Sequence, residues 1–280
     1  MSRELCKMVG YKGLAIAGAA DYNVRPRCDF HMRLFLKEGV CVKLYLEYLL
    51  VLLCPLVSIN ALATTSNISG ADVSADDKTL GYRSSYESND DSRPSVFSQR
   101  LYYQQSVNDR HRNRVVMQHS RTEGGPLELR FTRVEHLWQY QKPTHSGETG
   151  ALRFELQLVE GDDEPHSARV NWIKGYTLGQ FSTRFNFTVG RDFGDDARSG
   201  ASVAARAQVS RKVGKYGVGL QFFSNMNTTS AMGSFDRQKH QIGPTVSRQF
   251  GTLTVFASYL SGLSKRAPDN AFRLYLKCAL

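Results

Sequence analysis

The stretch Leu152-Arg-Phe-Glu-Leu-Gln-Leu158 decides the fold class. Leucine and phenylalanine occupy every second position, and Arg153, Glu155 and Gln157 occupy the positions between them. Side chains of a β-strand point alternately to opposite faces, so this stretch predicts a strand with one apolar and one polar face. An amphipathic helix would instead need apolar residues three and four positions apart.

The same alternation recurs through most of the chain. Regular alternation covers 181–189, 203–210 and 272–277, and less regular alternation covers 96–106, 113–120, 127–141, 168–174, 217–226, 240–249 and 253–262. A weaker candidate lies within Leu80–Glu87, and merging two upstream candidates would give ten strands instead of about twelve. Within 127–141 the parity of the apolar positions, Phe131 included, changes near Arg133, which predicts a β-bulge. We therefore predict an all-β fold.

Two kinds of connection separate the predicted strands. Long polar connections at 160–167, 191–200, 227–239 and 261–269 alternate with tight ones at 177–180, 213–216 and 250–251. Transmembrane barrels have short turns on one side and long loops on the other. The alternation therefore predicts an antiparallel up-and-down transmembrane β-barrel over residues 96–280. Residues 64–95 are rich in Ser, Asp, Asn and Gly, and we expect a flexible lead-in there.

The N-terminal region carries an export signal. The apolar stretch Leu44–Ala63 follows Lys43 and ends in Ala61-Leu62-Ala63, which predicts a signal peptide over 41–63 that is cleaved after Ala63. An uncleaved anchor is the alternative, because the stretch approaches the length of a spanning helix. Residues 1–40 have cysteines without metal-like spacing, and we expect a dispensable extension with the true start at Met32.

Composition narrows the class of partner. The chain has 280 residues, a formal net charge of +10 and 41% hydrophobic residues, which suits a barrel because only every second strand residue must be apolar. Basic residues are scattered and form no Lys/Arg block, so we expect no nucleic-acid partner. Aromatic residues crowd the ends of predicted strands, as in the interfacial girdles of membrane barrels. They are Trp138, Tyr140, Trp172, Tyr176, Tyr216, Phe250 and Phe272.

The polar face of the strands supplies the candidate site, since it would line the lumen of a barrel. The predicted lumen-lining residues are Arg130, Arg153, Glu155, Arg184, Asn186, Arg206, Gln208 and Arg273. Arginines outnumber the nearby acids Glu128 and Glu155, which favours anions if the pore is open. Alternatively, Arg–Glu pairs fill a narrow interior and act as a plug.

Catalytic and metal sites have weaker support. Histidine precedes serine at 119–120, 145–146 and 166–167, but neighbours on a strand face opposite sides, so His119 and Ser120 cannot form a dyad. Two acidic clusters in predicted loops offer oxygen ligands for a divalent cation, although a solvated loop surface is the simpler interpretation. These clusters are Asp162, Asp163 and Glu164, and Asp192, Asp195 and Asp196. We expect no catalytic set, metal or cofactor.

Over about residues 80–280, these patterns together resemble the small outer-membrane β-barrel proteins of proteobacteria, at class level only. The resemblance implies an outer-membrane location, contact with lipid and insertion by the barrel-assembly machinery. That machinery usually recognises a terminal aromatic residue, and Phe272 and Tyr275 are the aromatics nearest the end of this sequence.

The function expected from these patterns is that of a structural barrel or a passive, narrow, anion-favouring channel. Two alternatives remain. One is a soluble periplasmic β-barrel or sandwich that binds an apolar ligand. The other is a membrane-embedded lipid hydrolase resembling the outer-membrane phospholipase or the lipid A deacylase.

Overall fold

A computed structural model describes residues 67–88, 94–161 and 164–280. Within these ranges twelve strands form, which confirms the all-β prediction. They are β1 (Lys78–Ser88), β2 (Val96–Ser106), β3 (His111–Thr122), β4 (Glu128–Gln141), β5 (Glu148–Val159), β6 (His166–Leu178), β7 (Phe181–Phe193), β8 (Ala201–Val213), β9 (Tyr216–Thr228), β10 (Lys239–Phe250), β11 (Leu253–Gly262) and β12 (Asn270–Ala279). A 3₁₀ turn covers Phe235–Arg237. Among the described residues, no helix has the length and apolar character needed to cross a membrane.

The twelve strands form one closed antiparallel barrel. Each strand pairs with its neighbour in sequence, and β1 pairs with β12, where Tyr82 lies opposite Leu276. The backbone N–H of Leu280 donates to the carbonyl oxygen of Lys78 at 3.0 Å beside this seam. Closure leaves no strand edge unpaired. The predicted up-and-down topology is confirmed.

The barrel begins earlier than the alternation alone predicts. The weak candidate within Leu80–Glu87 is β1, which bonds to both β2 and β12. Its pattern is weak because Gly81, Ser84 and Ser85 occupy positions where larger side chains would mark the two faces. The barrel therefore starts at Lys78 and not at residue 96. The predicted signal peptide and N-terminal extension lie outside the described residues.

The two ends of the barrel differ in their connections. One end, which we call the turn end, carries the connections 107–110, 142–147, 179–180, 214–215 and 251–252, and the barrel also begins and finishes there. The opposite loop end carries 89–95, 123–127, 160–165, 194–200, 229–238 and 263–269. Gly179 and Gly214 open two-residue turns with φ of 59° and 58°, the left-handed backbone that such hairpins require.

The two faces of the wall have opposite chemistry. On β5, Leu156 is 46% exposed on the outer face, whereas Glu155 is buried on the inner face. On β7, Phe185 and Phe187 are exposed outward and Asn186 is fully buried. A soluble barrel would bury the apolar face, so an outward apolar band is typical of a barrel in lipid. This arrangement contradicts the alternative of a soluble apolar-ligand carrier.

Aromatic side chains form a belt on the outer face at the turn end. The belt contains Trp138, Tyr140, Tyr176, Tyr216 and Phe250, whereas Trp172 lies at mid-strand in β6 and Phe272 lies at the loop end. The indole N–H of Trp172 donates to the hydroxyl of Tyr140 at 2.9 Å. Lys174 Nζ lies 2.5 Å from Glu148 Oε1 on the same face. Amphipathic rings and charged side chains together suit a membrane–water interface.

A β-bulge in β4 reorients the inner face. The register between β3 and β4 shifts so that Gln118 lies opposite Phe131 and His119 lies opposite Leu129, which leaves Arg130 as the extra residue. The bulge therefore falls at Arg130 and not near Arg133. Phe131, whose alternation predicted an outward side chain, is instead buried on the inner face.

Candidate functional site

The inner face of the barrel is rich in arginine. Inward-facing arginines come from β1 to β8 and from β12: Arg83, Arg100, Arg112, Arg114, Arg133, Arg153, Arg169, Arg184, Arg206 and Arg273. Inward-facing carboxylates of the strands are fewer: Glu87, Glu135, Glu155 and Asp192. Two more precede β1: Asp77 accepts from Gln104 Nε2 at 3.0 Å, and Asp72 lines a cavity with Arg184. Because strands carrying arginine cover most of the circumference, the lumen is positively charged around most of its wall.

A buried ion-pair network joins β3, β4 and β5. Glu135 lies at its centre, with carboxylate oxygens 3.0 Å from Arg114 Nη1 and 3.0 Å from Arg133 Nε. Glu155 lies 2.6 Å from Arg153 Nη2 and 3.1 Å from Arg133 Nη1. Buried charges persist only when they are paired, which these contacts achieve. Three guanidinium groups share two carboxylates here, so the network remains net positive.

Aromatic rings also support guanidinium groups of the inner face. The guanidinium carbon of Arg83 lies 4.7 Å from the ring centre of Tyr102, and that of Arg114 lies 4.9 Å from it. Arg273 lies 4.3 Å above Phe223. Such cation–π contacts hold the planar groups in place against the inner wall.

A segment of backbone crosses the lumen before the first strand. We call residues 67–77 the strap. The N–H of Ser69 donates to Asn186 Oδ1 at 2.7 Å, and Asn186 Nδ2 donates to the Ser69 carbonyl at 3.0 Å. The N–H of Val73 donates to Gln139 Oε1 at 3.0 Å. Inward amides of β4 and β7 therefore satisfy backbone groups of the strap that would otherwise be buried without partners.

Arginines of the wall also bind the strap. Arg112 Nη1 donates to the carbonyl oxygen of Asp72 at 3.1 Å. The guanidinium of Arg153 donates to the hydroxyl of Ser69. Hydrogen bonds from charged donors are stronger than neutral ones, so these contacts fix the strap at two levels of the lumen.

Apolar side chains of the strap fill apolar patches of the inner wall. Ile68 packs in a buried cluster with Phe223 and Leu260 towards the loop end. Val73 packs with Leu137 and Ile173 towards the turn end. Inward apolar residues of these strands are thus covered by the strap, and their burial adds hydrophobic stabilisation to the hydrogen bonds. The strap runs from the loop half of the lumen down to the turn end.

The lumen holds cavities on both sides of the strap. Two adjoining cavities of about 310 Å³ and 450 Å³ lie towards the loop end and share Arg169, Arg206 and Lys239 in their walls. A cavity of about 420 Å³ lies towards the turn end, between Arg184 and the strap residues Gly70–Asp72. The strap therefore separates two polar vestibules.

The structure divides the predicted lumen-lining residues between these regions. Arg130, Arg153 and Arg206 line the loop-end cavities, Arg184 lines the turn-end cavity, and Asn186 holds the strap between them. The remaining predicted residues, Glu155, Gln208 and Arg273, are buried on the inner face. Gln208 Oε1 accepts a hydrogen bond from Gln221 at 3.0 Å, and Arg273 donates to Gln241 Oε1 at 3.4 Å.

Sequence reasoning missed the strap and Glu135. Glu128, which the alternation placed near the arginines, is exposed at the loop end, and Glu135 occupies the centre of the network instead. The bulge at Arg130 is the signal that would have identified Glu135, because it turns the odd positions of β4 inward. The strap has no comparable signal in its own residues.

Where a histidine and the serine that follows it both lie on a strand, their side chains face opposite sides of the barrel wall. Ser120 lines the loop-end cavity, whereas His119 occupies the opposite face of β3. His166 Nδ1 accepts a hydrogen bond from the N–H of Val159 at 3.1 Å. At the turn end, three side chains that the sequence analysis did not single out form a hydrogen-bonded row. His136 lies 2.8 Å from Asn113 Oδ1 and 3.2 Å from His111 Nδ1.

The predicted acidic loops carry ion pairs. Asp192 Oδ2 lies 2.6 Å from Arg198 Nε, and Glu164 Oε1 lies 3.4 Å from Arg130 Nη2. Asp162 and Asp163 lie outside the described residues. Among the residues that are described, no group of three or more His, Cys, Asp or Glu side chains is arranged to hold a metal ion.

Comparison with known proteins shows which solved structures share this fold. No protein-family model and no curated protein matches this sequence. Among solved structures, an outer-membrane channel from Pseudomonas putida F1 is similar with a TM-score of 0.61 and 9% identity, over 77% of this chain and 100% of that chain. The KdgM porin is similar with a TM-score of 0.52 and 9% identity, over 72% of this chain and 99% of that chain.

The KdgM porin in complex with disordered oligogalacturonate is similar to the same degree, with a TM-score of 0.52 and 10% identity, over 72% of this chain and 99% of that chain. This chain has the fold of Gram-negative outer-membrane β-barrels. At these identities the likeness establishes the fold alone, so solutes and activity must be argued from the chain's own residues.

Proposed function

We propose that this barrel is a passive, narrow outer-membrane channel that favours anions, and that its strap limits the flux. The excess of inward guanidinium groups over inward carboxylates carries the proposal. Basic rings in a pore lower the energy of anions and repel cations, and a low-dielectric wall strengthens both effects. The buried Arg–Glu network leaves part of this charge uncompensated.

The outer surface supports the membrane location. An apolar outward band and an aromatic belt at the turn end suit the hydrocarbon core and one interface of a bilayer. In bacterial barrels the short turns face the periplasm and the long loops face the exterior. The turn-end vestibule with Arg184 would then open to the periplasm, and the loop-end vestibule with Arg206 would face outward. The predicted signal peptide supplies the export step.

Planar bilayer recording tests the proposed channel. We expect low single-channel conductance from the folded chain, with a reversal potential in a KCl gradient that reports a preference for chloride. Arg184→Ala combined with Arg206→Ala should raise the conductance and weaken the preference, because one cation is lost from each vestibule. Arg211→Ala is the matched control, since Arg211 is an outward arginine on β8 that lies over Phe181.

A large cation-selective conductance from the unmodified protein would contradict the proposal. Membrane fractionation with gel mobility before and after boiling tests the location and the closed barrel together. Recovery in the outer-membrane fraction and a heat-dependent mobility shift are expected. A periplasmic protein with no mobility shift would contradict the membrane assignment.

A further inference from the structure

One region of the lumen contains three cations that have no carboxylate partner in the part of the chain that the structure describes. Arg169, Arg206 and Lys239 line the loop-end cavity of about 450 Å³. Among the described residues, none of the three lies within ion-pair distance of a carboxylate. The hydrogen bond of Arg169 is a long one, at 3.5 Å to Gln157 Oε1. These cations therefore differ from Arg133 and Arg153, whose charges are paired with buried glutamates.

A buried amide lines the same cavity. Gln241 is only 4% exposed, and its Nε2 has no hydrogen-bond partner among the described residues, although its Oε1 accepts from Arg273. A buried donor without a partner is costly, by about 1–3 kcal/mol, unless a ligand or water satisfies it. Asn225 and the ring of Phe223 complete the adjoining wall. The cavity thus offers cations, amide groups and one aromatic surface. Its wall also includes the carboxylate of Glu164, which is paired with Arg130 at 3.4 Å.

We propose that this cavity is a capture site for a small hydroxylated organic anion. Its carboxylate or phosphate oxygens would bind Arg206, Arg169 and Lys239, because the guanidinium fork matches planar and tetrahedral oxyanions. The amides of Gln241 and Asn225 would bind neighbouring hydroxyl groups. The volume lies within the roughly 300–1,000 Å³ typical of small-molecule sites. The inference rests on the proposed channel and places its solute above the strap.

Titration calorimetry on the full chain folded in detergent tests the site. The probes are glucuronate, glucose 6-phosphate and glucose, which share a hydroxylated ring and differ in charge. We expect saturable binding of at least one anion and no binding of glucose. The two anions distinguish a carboxylate site from a phosphate site, and either result supports the proposal.

Two luminal variants and one control assign the binding to this cavity. Arg206→Gln combined with Lys239→Gln should weaken anion binding by about tenfold or more, as expected for the loss of charged hydrogen bonds. Arg169→Gln provides an independent second variant. Arg211→Gln, on the outer face of the strand that carries Arg206, should bind like the unmodified protein. Heat-dependent gel mobility confirms that each variant is folded.

The proposed site and the proposed channel fail in different ways. Binding of glucose equal to that of the anions, or unchanged anion affinity in both luminal variants, would overturn the site. Non-saturable heats that merely follow ionic strength would also overturn it. Saturable anion binding by a barrel that passes no anion-biased current would support the site and contradict the channel. Anion-biased current without saturable binding would support the channel and contradict the site.

Discussion

The side-chain amide of Asn186 binds both backbone groups of Ser69, accepting from its N–H at 2.7 Å and donating to its carbonyl at 3.0 Å. The two residues are 117 positions apart in sequence, and Asn186 is fully buried at mid-height in β7. A two-point bond of this kind orients the backbone of the strap as a paired strand would. Part of the interior is thus occupied by a crossing segment of chain as well as by Arg–Glu pairs.

Asn186→Ala should loosen the strap and raise single-channel conductance. The substitution removes both hydrogen bonds to Ser69 and leaves that buried peptide unit unsatisfied. Asn171→Ala is the matched control, because Asn171 is another fully buried inward asparagine and its amide atoms have no hydrogen-bond partner among the described residues. Bilayer recordings of both variants check the prediction.

A variant lacking residues 67–73 should show a larger increase in conductance than Asn186→Ala. The deletion removes Ile68 and the bonds made by Ser69 and Val73, and it leaves β1 intact. The heat-dependent gel shift verifies that the barrel still closes. Equal conductance of the deletion variant and the full chain would show that the strap is not the barrier to flux.

The strands could be predicted from the sequence because period-2 alternation is local. The two faces of Leu152–Leu158 can be recognised from the residues of that segment alone. The strap could not be predicted in this way. Ile68 and Val73 stand isolated among polar residues, and their burial arises only once β4, β6, β9 and β11 close around them. A segment held by long-range contacts has no periodicity of its own.

The candidate site was predicted only in part for a related reason. The inward positions of β5, β7 and β8 follow strict alternation, so Arg153, Asn186 and Gln208 were found. On β4 the extra residue Arg130 exchanges the two faces earlier than predicted, so Phe131 was assigned to the wrong face, and Glu135 was overlooked on the inward one. Which inward charges pair with each other depends on how neighbouring strands are aligned. The pattern within one strand gives no information about that alignment.

Neighbouring alanines of β8 test which face meets lipid. Ala205 lies opposite Phe187 on the outer face, whereas Ala204 lines the loop-end cavity. Ala205→Arg should lower the free energy of unfolding by about 2–4 kcal/mol if it lies near the bilayer midplane, and Phe187→Arg should act similarly. Ala204→Arg should cost much less, because its charge enters a polar cavity. Urea unfolding in liposomes measures the difference, and equal losses would contradict the assigned faces.

Export should remove residues 1–63. The exit Ala61-Leu62-Ala63 has the small residues that signal peptidase requires, so N-terminal sequencing of exported protein should give Thr-Thr-Ser-Asn. Ala63→Arg should block processing and leave a longer chain on a denaturing gel, whereas Thr65→Ala should be processed normally. An exported wild-type chain that still contains Leu44–Ala63 would favour the membrane anchor instead.

Glu135→Gln should lower stability and increase anion preference at the same time. Among the described residues, loss of this buried carboxylate leaves Arg114 with no ion-pair partner and Arg133 with Glu155 alone. Breaking a buried pair typically costs about 3–5 kcal/mol, because the remaining charge is uncompensated. The added net positive charge should shift the reversal potential further towards that of chloride.

The control for this variant is Glu128→Gln on the same strand. Glu128 is exposed at the loop end, and among the described residues it forms no ion pair. Both measurements should therefore stay close to those of the unmodified protein, since exposed charges contribute little to stability. If Glu135→Gln lowered stability but left selectivity unchanged, the network would be a structural plug remote from the ion path. If it changed selectivity without loss of stability, the lumen would be more hydrated than the buried pairs indicate.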